Sequence, residues 1–172
     1  MLILGVGNTL LSDEGLGVQM LDYLQTHYPN LENVTYVDGG TLSFTLASWI
    51  EDADSLVIVD AAELKAAPGT VQVFEGETMD RFAGETKRSV HEVSIGDLLS
   101  IARLTDYLPE NRLLVAIQPK NIDWGSDLSP EVEQAMPLAA QHIIDAIARW
   151  NPGGAASRVS KSPGITAQAV NE

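Results

Sequence analysis

Asp54-Ser55-Leu56-Val57-Ile58-Val59-Asp60 is the stretch that decides the fold. Four aliphatic residues in a row, three of them β-branched, show no polar alternation. A strand of this kind is covered by helices on both faces of its sheet, so it is read as the central strand. Working outward, Leu2 to Val6 is a second short apolar run, closed by the turn Gly5-Val6-Gly7-Asn8. Val34 to Val37 makes another strand, ending at Asp38-Gly39-Gly40. Thr70 to Phe74 alternates after Pro68-Gly69, too soon after the central strand for a helical crossover, and is therefore antiparallel or at the edge. Leu113 to Ile117 completes a set of five, stopped by Gln118-Pro119.

Between these runs the period changes to that of a helix. Leu16, Met20, Leu21, Leu24 and Tyr28 recur at three- and four-residue steps, with Ser12 or Asp13 in place to cap the first amides and Pro29-Asn30 to stop the chain. Leu42 to Ile50 and Ile95 to Leu104 are the next helices. The polar stretch Glu75 to Arg88, with Gly76 and Gly84, reads as a loop. Ser129 and Pro130 open the clearest helix, striped by Val132, Met136, Ala140, Ile143 and Ile147, with Pro137 placed to kink its first turns. The alternation predicts an α/β fold: a three-layer αβα sandwich around a five-stranded, mostly parallel twisted sheet with one antiparallel strand. The domain spans residues 1–150. Residues 151–172, rich in Gly, Ala, Ser and Pro, are expected to form a disordered tail.

Of 172 residues, 45% are hydrophobic, ample for a packed core, and none is Cys, so thiolate metal sites, disulfides and cysteine nucleophiles are excluded. The net charge of −14 argues against nucleic acid as a partner, since affinity for phosphates comes from Lys and Arg. An acidic balance suits a bound metal ion or a cationic partner, and is also an ordinary device for solubility. The tail carries Arg158, Lys161 and Glu172, which leaves about −15 on the domain. Met1 runs directly into Leu2-Ile3-Leu4 with no basic segment ahead of it, and no apolar run approaches the roughly 20 residues of a membrane span. A cytoplasmic protein is expected.

Common catalytic signatures fail. Leu10 stands where the third glycine of a dinucleotide-binding turn would fall, no Gly-x-Ser-x-Gly elbow occurs, and His91-Glu92 has Ile95 where a zincin would place its second His. In an open α/β sheet, groups that act together collect at the carboxyl ends of the strands. Glu14 follows the first strand, Asp60 ends the central one, and His91 lies in the polar loop ahead of the helix leading to the last strand. Two carboxylates and an imidazole suit a divalent first-row metal. Each also has a structural reading: Glu14 as a partner of the first helix dipole, Asp60 as a turn cap, His91 as a surface histidine. Asp38-Gly39-Gly40-Thr41 is either a simple turn or a flexible loop beside the site. His27 and His142 look structural.

Several ordered motifs, taken together, resemble one family. They are Gly5 through Gly17 (GVGNTLLSDEGLG), Asp38-Gly39-Gly40-Thr41, Leu56 through Ala61, Ala67 through Thr70, His91 and Ile117-Gln118-Pro119. Over about residues 1–150 the chain resembles the endopeptidases that mature the large subunit of nickel-iron hydrogenases. The resemblance implies removal of a C-terminal extension from the large-subunit precursor after nickel insertion. The nickel carried by the precursor would serve as recognition element, and another divalent metal could occupy the site in vitro. It also implies metal contacts from Glu14, Asp60 and His91, and catalytic roles for Glu14 and Asp60, with Asp38 as a secondary binding or base candidate. The partner would be the precursor, with no nucleic acid or membrane involved, and the enzyme a monomer. Two other readings stand beside it. A nickel chaperone would use the same donors without cleavage, and a peptidyl-tRNA hydrolase-like enzyme shares the opening strand and Gly-x-Gly-Asn turn but should present a basic face.

Overall fold

In the computed structural model, which describes residues 1–85 and 93–151, the decisive run forms β3 (Ser55–Ala61), the middle of a five-stranded sheet. The other strands are β1 (Leu2–Val6), β2 (Thr35–Gly40), β4 (Val71–Glu75) and β5 (Asn111–Ile117), in the order β2-β1-β3-β5-β4. β1 pairs in parallel with β2 and β3, and β3 in parallel with β5. β4 runs antiparallel to β5 at the sheet edge, so both readings of that strand hold together.

The two-residue period of the strands splits the core. Ile3, Val57, Val59, Leu113, Val115 and Ile117 face α1 (Leu16–His27) and α5 (Pro130–Trp150). Leu2, Leu4, Leu56, Ile58, Leu114 and Ala116 face α2 (Ala47–Glu51), α3 (Glu77–Glu85) and α4 (Ile95–Leu104). Leu56 to Val59 are fully buried, each contributing on the order of 2 kcal/mol of transfer free energy. α5 continues through Pro137 as one helix of 21 residues. Among the described residues no helix is long and apolar enough to cross a membrane.

One stretch departs from the sequence reading: α3 lies within the segment expected to be a loop. Its apolar signal is short, only Met79 and Ala83 being buried. Thr78 supplies a local start, its hydroxyl accepting from the Glu75 amide (3.0 Å) and donating to the Glu75 carbonyl (2.7 Å). The rest of its support is long-range. Asp80 accepts a two-pronged pair of bonds from Arg112 on β5, at 2.8 and 2.6 Å, and a third from Arg103 on α4 at 2.6 Å. The second predicted helix opens as a 3-10 turn (Phe44–Leu46) before α2. It buries Leu46, Ala47 and Ile50 while Phe44 and Trp49 stay exposed. α4 begins with a reciprocal cap: the Ser94 hydroxyl accepts from the Asp97 amide, and Asp97 accepts from the Ser94 amide.

Candidate active site

β1 leads outward to β2 on one side, whereas β3 lies on the other and the chain proceeds from there to β5 and β4. The crevice at the carboxyl ends of β1 and β3 is thus the topological switch point, where α/β sheets bind their ligands. Backbone closeness builds this crevice. Gly7 leaves β1 at φ +131°, and a Cβ there would overlap the Glu14 carbonyl. Gly17, in the first turn of α1, lies against the backbone carbonyls of Val59 and Val6, so a side chain at that position has no room. Between them the chain makes a 3-10 turn, Ser12–Gly15, which carries Glu14 to the crevice.

Neither Ser12 nor Asp13 caps α1, contrary to the sequence reading; Gly15 is the N-cap and no side chain closes it. Both side chains are used across the chain instead. The Ser12 hydroxyl donates to the Asp123 carbonyl (3.1 Å). The Asp13 carboxylate, fully buried, accepts from the amides of Lys120 (2.8 Å), Asn121 (2.9 Å) and Ser129 (2.6 Å) and from the Ser129 hydroxyl (2.8 Å). Burial pushes its pKa up, but the hydrogen bonds from Ser129, Asn121 and Lys120 outweigh it and hold the carboxyl below its ordinary range. Ser129 does stand at the N-cap of α5, as expected. Its hydroxyl serves Asp13 and makes no cap bond to its own helix.

Glu14 and Asp60 line one cavity of about 510 Å³, together with Val6, Gly7, Phe82 and Leu114. Asp60 reaches it because it shares the strand face of Leu56 and Ile58, which points toward α2, α3 and α4. Gly40 through Phe44 form one wall, and Ser94 and Ile95 at the start of α4 another. The cavity therefore brings together two of the carboxylates selected from sequence. Asp38 is not among the lining residues; it is exposed, and its Oδ1 accepts from the Gly40 amide (2.8 Å), fixing the turn into that wall. His91 lies outside the described residues. Among the described residues no three His, Cys, Asp or Glu side chains gather as a metal cluster. His27 stacks on Tyr23, and neither it nor His142 lines the cavity. Sequence reasoning passed over Phe44, Ser94 and the anchoring role of Asp13. The first could have been suspected from its place directly after the glycine turn.

Two carboxylates lining one crevice can hold a cation, or one can accept a proton while the other orients a polar group. Neither use needs a thiol, and the chain has no cysteine. Comparison with known proteins defines the class: residues 18–146 match the family model of the HycI hydrogenase maturation proteases, and the chain belongs to that family. It is 33% identical over 147 residues to the hydrogenase 2 maturation protease of Escherichia coli, covering 85% of this chain and 89% of the relative. The hydrogenase expression/formation protein HupD of Rhizobium leguminosarum is likewise 33% identical, over 150 residues covering 87% and 74%. Among solved structures, the hydrogenase maturating endopeptidase HybD from E. coli superimposes with a TM-score of 0.80 at 32% identity, covering 87% of this chain and 93% of that one. The HybD protease of Thermococcus kodakarensis gives 0.66 at 27% identity, covering 84% and 96%.

Proposed function

We propose that this chain is an endopeptidase that removes the C-terminal extension of a nickel-iron hydrogenase large-subunit precursor, and that the nickel already carried by the precursor is what the site recognises. The observation behind this reading is the meeting of Glu14 and Asp60 in one cavity at the switch point of a maturation-protease fold. Carboxylate oxygens suit a divalent first-row ion, and His91 is the proposed third donor. A chain without cysteine offers the ion no thiolate, so it can bind the loaded precursor without stripping its metal.

The chemistry is hydrolysis. Water oxygen bonds to the scissile carbonyl carbon, its proton passes to a carboxylate acting as general base, and that proton is delivered to the departing amine nitrogen as the C–N bond breaks. Two of the hydroxyls in the cavity wall are already engaged with neighbouring side chains. Ser94 is committed to the α4 cap, and Ser43 lies 2.6 Å from the Thr45 hydroxyl. Asp38 is proposed to act on the binding side, by shaping the Gly40–Phe44 wall through its bond to the Gly40 amide.

Glu14→Gln and Asp60→Asn keep size and one acceptor oxygen while removing the charge and the other acceptor. Followed on a gel with nickel-loaded precursor, each should lower processing by a factor of about 100 or more, in the range typical of a lost general base. His91→Ala should do the same, and nickel-free precursor should remain uncut by the wild type. Normal processing by folded Glu14→Gln would overturn the site, whereas binding of loaded precursor without cleavage by the wild type would identify a nickel carrier.

A further inference from the structure

The cavity is too small to account for recognition of a folded protein. At about 510 Å³ it takes a few residues of chain, whereas a stable protein partner covers roughly 800 Å² of surface per side. Most of the footprint must therefore lie outside it. Across the Ser12–Gly15 turn from the cavity, the loop following β5 arches over the loop following β1 and exposes large apolar side chains. Trp124 is 82% exposed, Ile122 60% and Leu10 59%.

This arch is fixed. The Gly125 amide donates to the Leu10 carbonyl (2.9 Å), and the Ser12 amide donates to the Gly125 carbonyl (2.7 Å). The Asp13 amide donates to the Asn121 carbonyl (3.1 Å), while its carboxylate takes the Lys120 and Asn121 amides. A tryptophan held out on a braced backbone loses little freedom on binding, and tryptophan is the residue most enriched where binding energy concentrates. The surroundings are acidic. Asp123 and Asp127 are exposed, and Lys120, the one cation in the stretch 120–131, is ion-paired to Glu131 at 2.7 Å.

We propose that Leu10, Ile122 and Trp124 form the docking surface for the folded body of the protein substrate, which presents there an apolar side chain ringed by Lys or Arg. This rests on the protease reading above. The bracing has a mechanical corollary: the turn that carries Glu14 into the cavity is hydrogen-bonded to the same arch, so docking sets the substrate in register with the carboxylates.

The experiment measures KM and kcat on nickel-loaded precursor for wild type, Trp124→Ser/Ile122→Ser and Asp123→Lys, with Glu14→Gln in parallel. The apolar double variant should raise KM about tenfold to a hundredfold with kcat at saturation unchanged. Asp123→Lys should raise KM less, and added salt should raise the wild-type KM. The substituted side chains are surface groups, so thermal midpoints should match wild type. Wild-type KM in both the double variant and Asp123→Lys, or a loss confined to kcat, overturns the docking surface while an inactive Glu14→Gln leaves the protease reading standing. A wild type that binds loaded precursor and leaves it uncut overturns both.

Discussion

The two faces of the sheet are held by different means. Against α1 and α5 the contact is intimate, with Gly17 lying on strand backbone and a continuous cluster from Ile3 to Ile147. At the rim of that face, Asp13 is gripped by backbone amides with no cation involved. Against α2, α3 and α4 the apolar cluster is interrupted by the cavity, and α3 is secured by an ion pair between Asp80 and two arginines. The hydrogen-bonded turn that carries Glu14 is fastened at the rim of the first face, and the cavity opens on the second.

Substitutions on the two faces can break or sharpen this contrast. The largest effect is expected for Gly17→Val, whose side chain would collide with the carbonyls of Val59 and Val6. Neither can retreat without parting strands, so a loss above about 4 kcal/mol, or no cooperative urea transition at all, is expected. Asp13→Ala comes next. It removes the acceptor of three partly buried amides and a hydroxyl, for a cost of about 3 to 4 kcal/mol in urea denaturation.

Asp80→Asn on the open face should cost about 3 kcal/mol, because Arg112, itself nearly buried, loses its charged partner. Its pH signature is distinctive. Burial raises the Asp80 pKa, but Arg112 and Arg103 outweigh that and hold it below the ordinary 3.8. The contribution is therefore complete above about pH 3.8 and is lost as pH falls through the lower folded value, so the gap between wild type and variant should be level near neutrality and shrink in acid. Phe44→Ala, at the cavity wall and 61% exposed, should change stability by under about 0.5 kcal/mol. An appreciable fall in its thermal midpoint would mean that the open face is more tightly built than the contrast allows.

Much of this was legible in the sequence, for identifiable reasons. Leu56–Val59 and Leu113–Ile117 declare strands through β-branched apolar runs, and α5 declares itself by period, so the sheet and its outer helices follow from local pattern. Glu14 and Asp60 were selected by their places after strands at the carboxyl edge, and the cavity brings both together. What escaped was whatever depends on distant partners. The donors to Asp13 lie 107 to 116 residues away, and α3 owes its place to Arg112, 32 residues beyond Asp80. Capping of α1 was misread because Ser12 and Asp13 fit a local rule so well that nothing nearby hinted at their long-range use.

The Asp13 tether also orders events in time as the chain leaves the ribosome. Every described residue that lines the cavity precedes Val115, whereas the amides that close on Asp13 come at Lys120, Asn121 and Ser129. A nascent chain exposed only through β5 still lacks the share of the core that α5 supplies and the fastening of the turn that carries Glu14. Emergence of the start of α5 fastens it, so the site's geometry is completed near the end of the domain's synthesis.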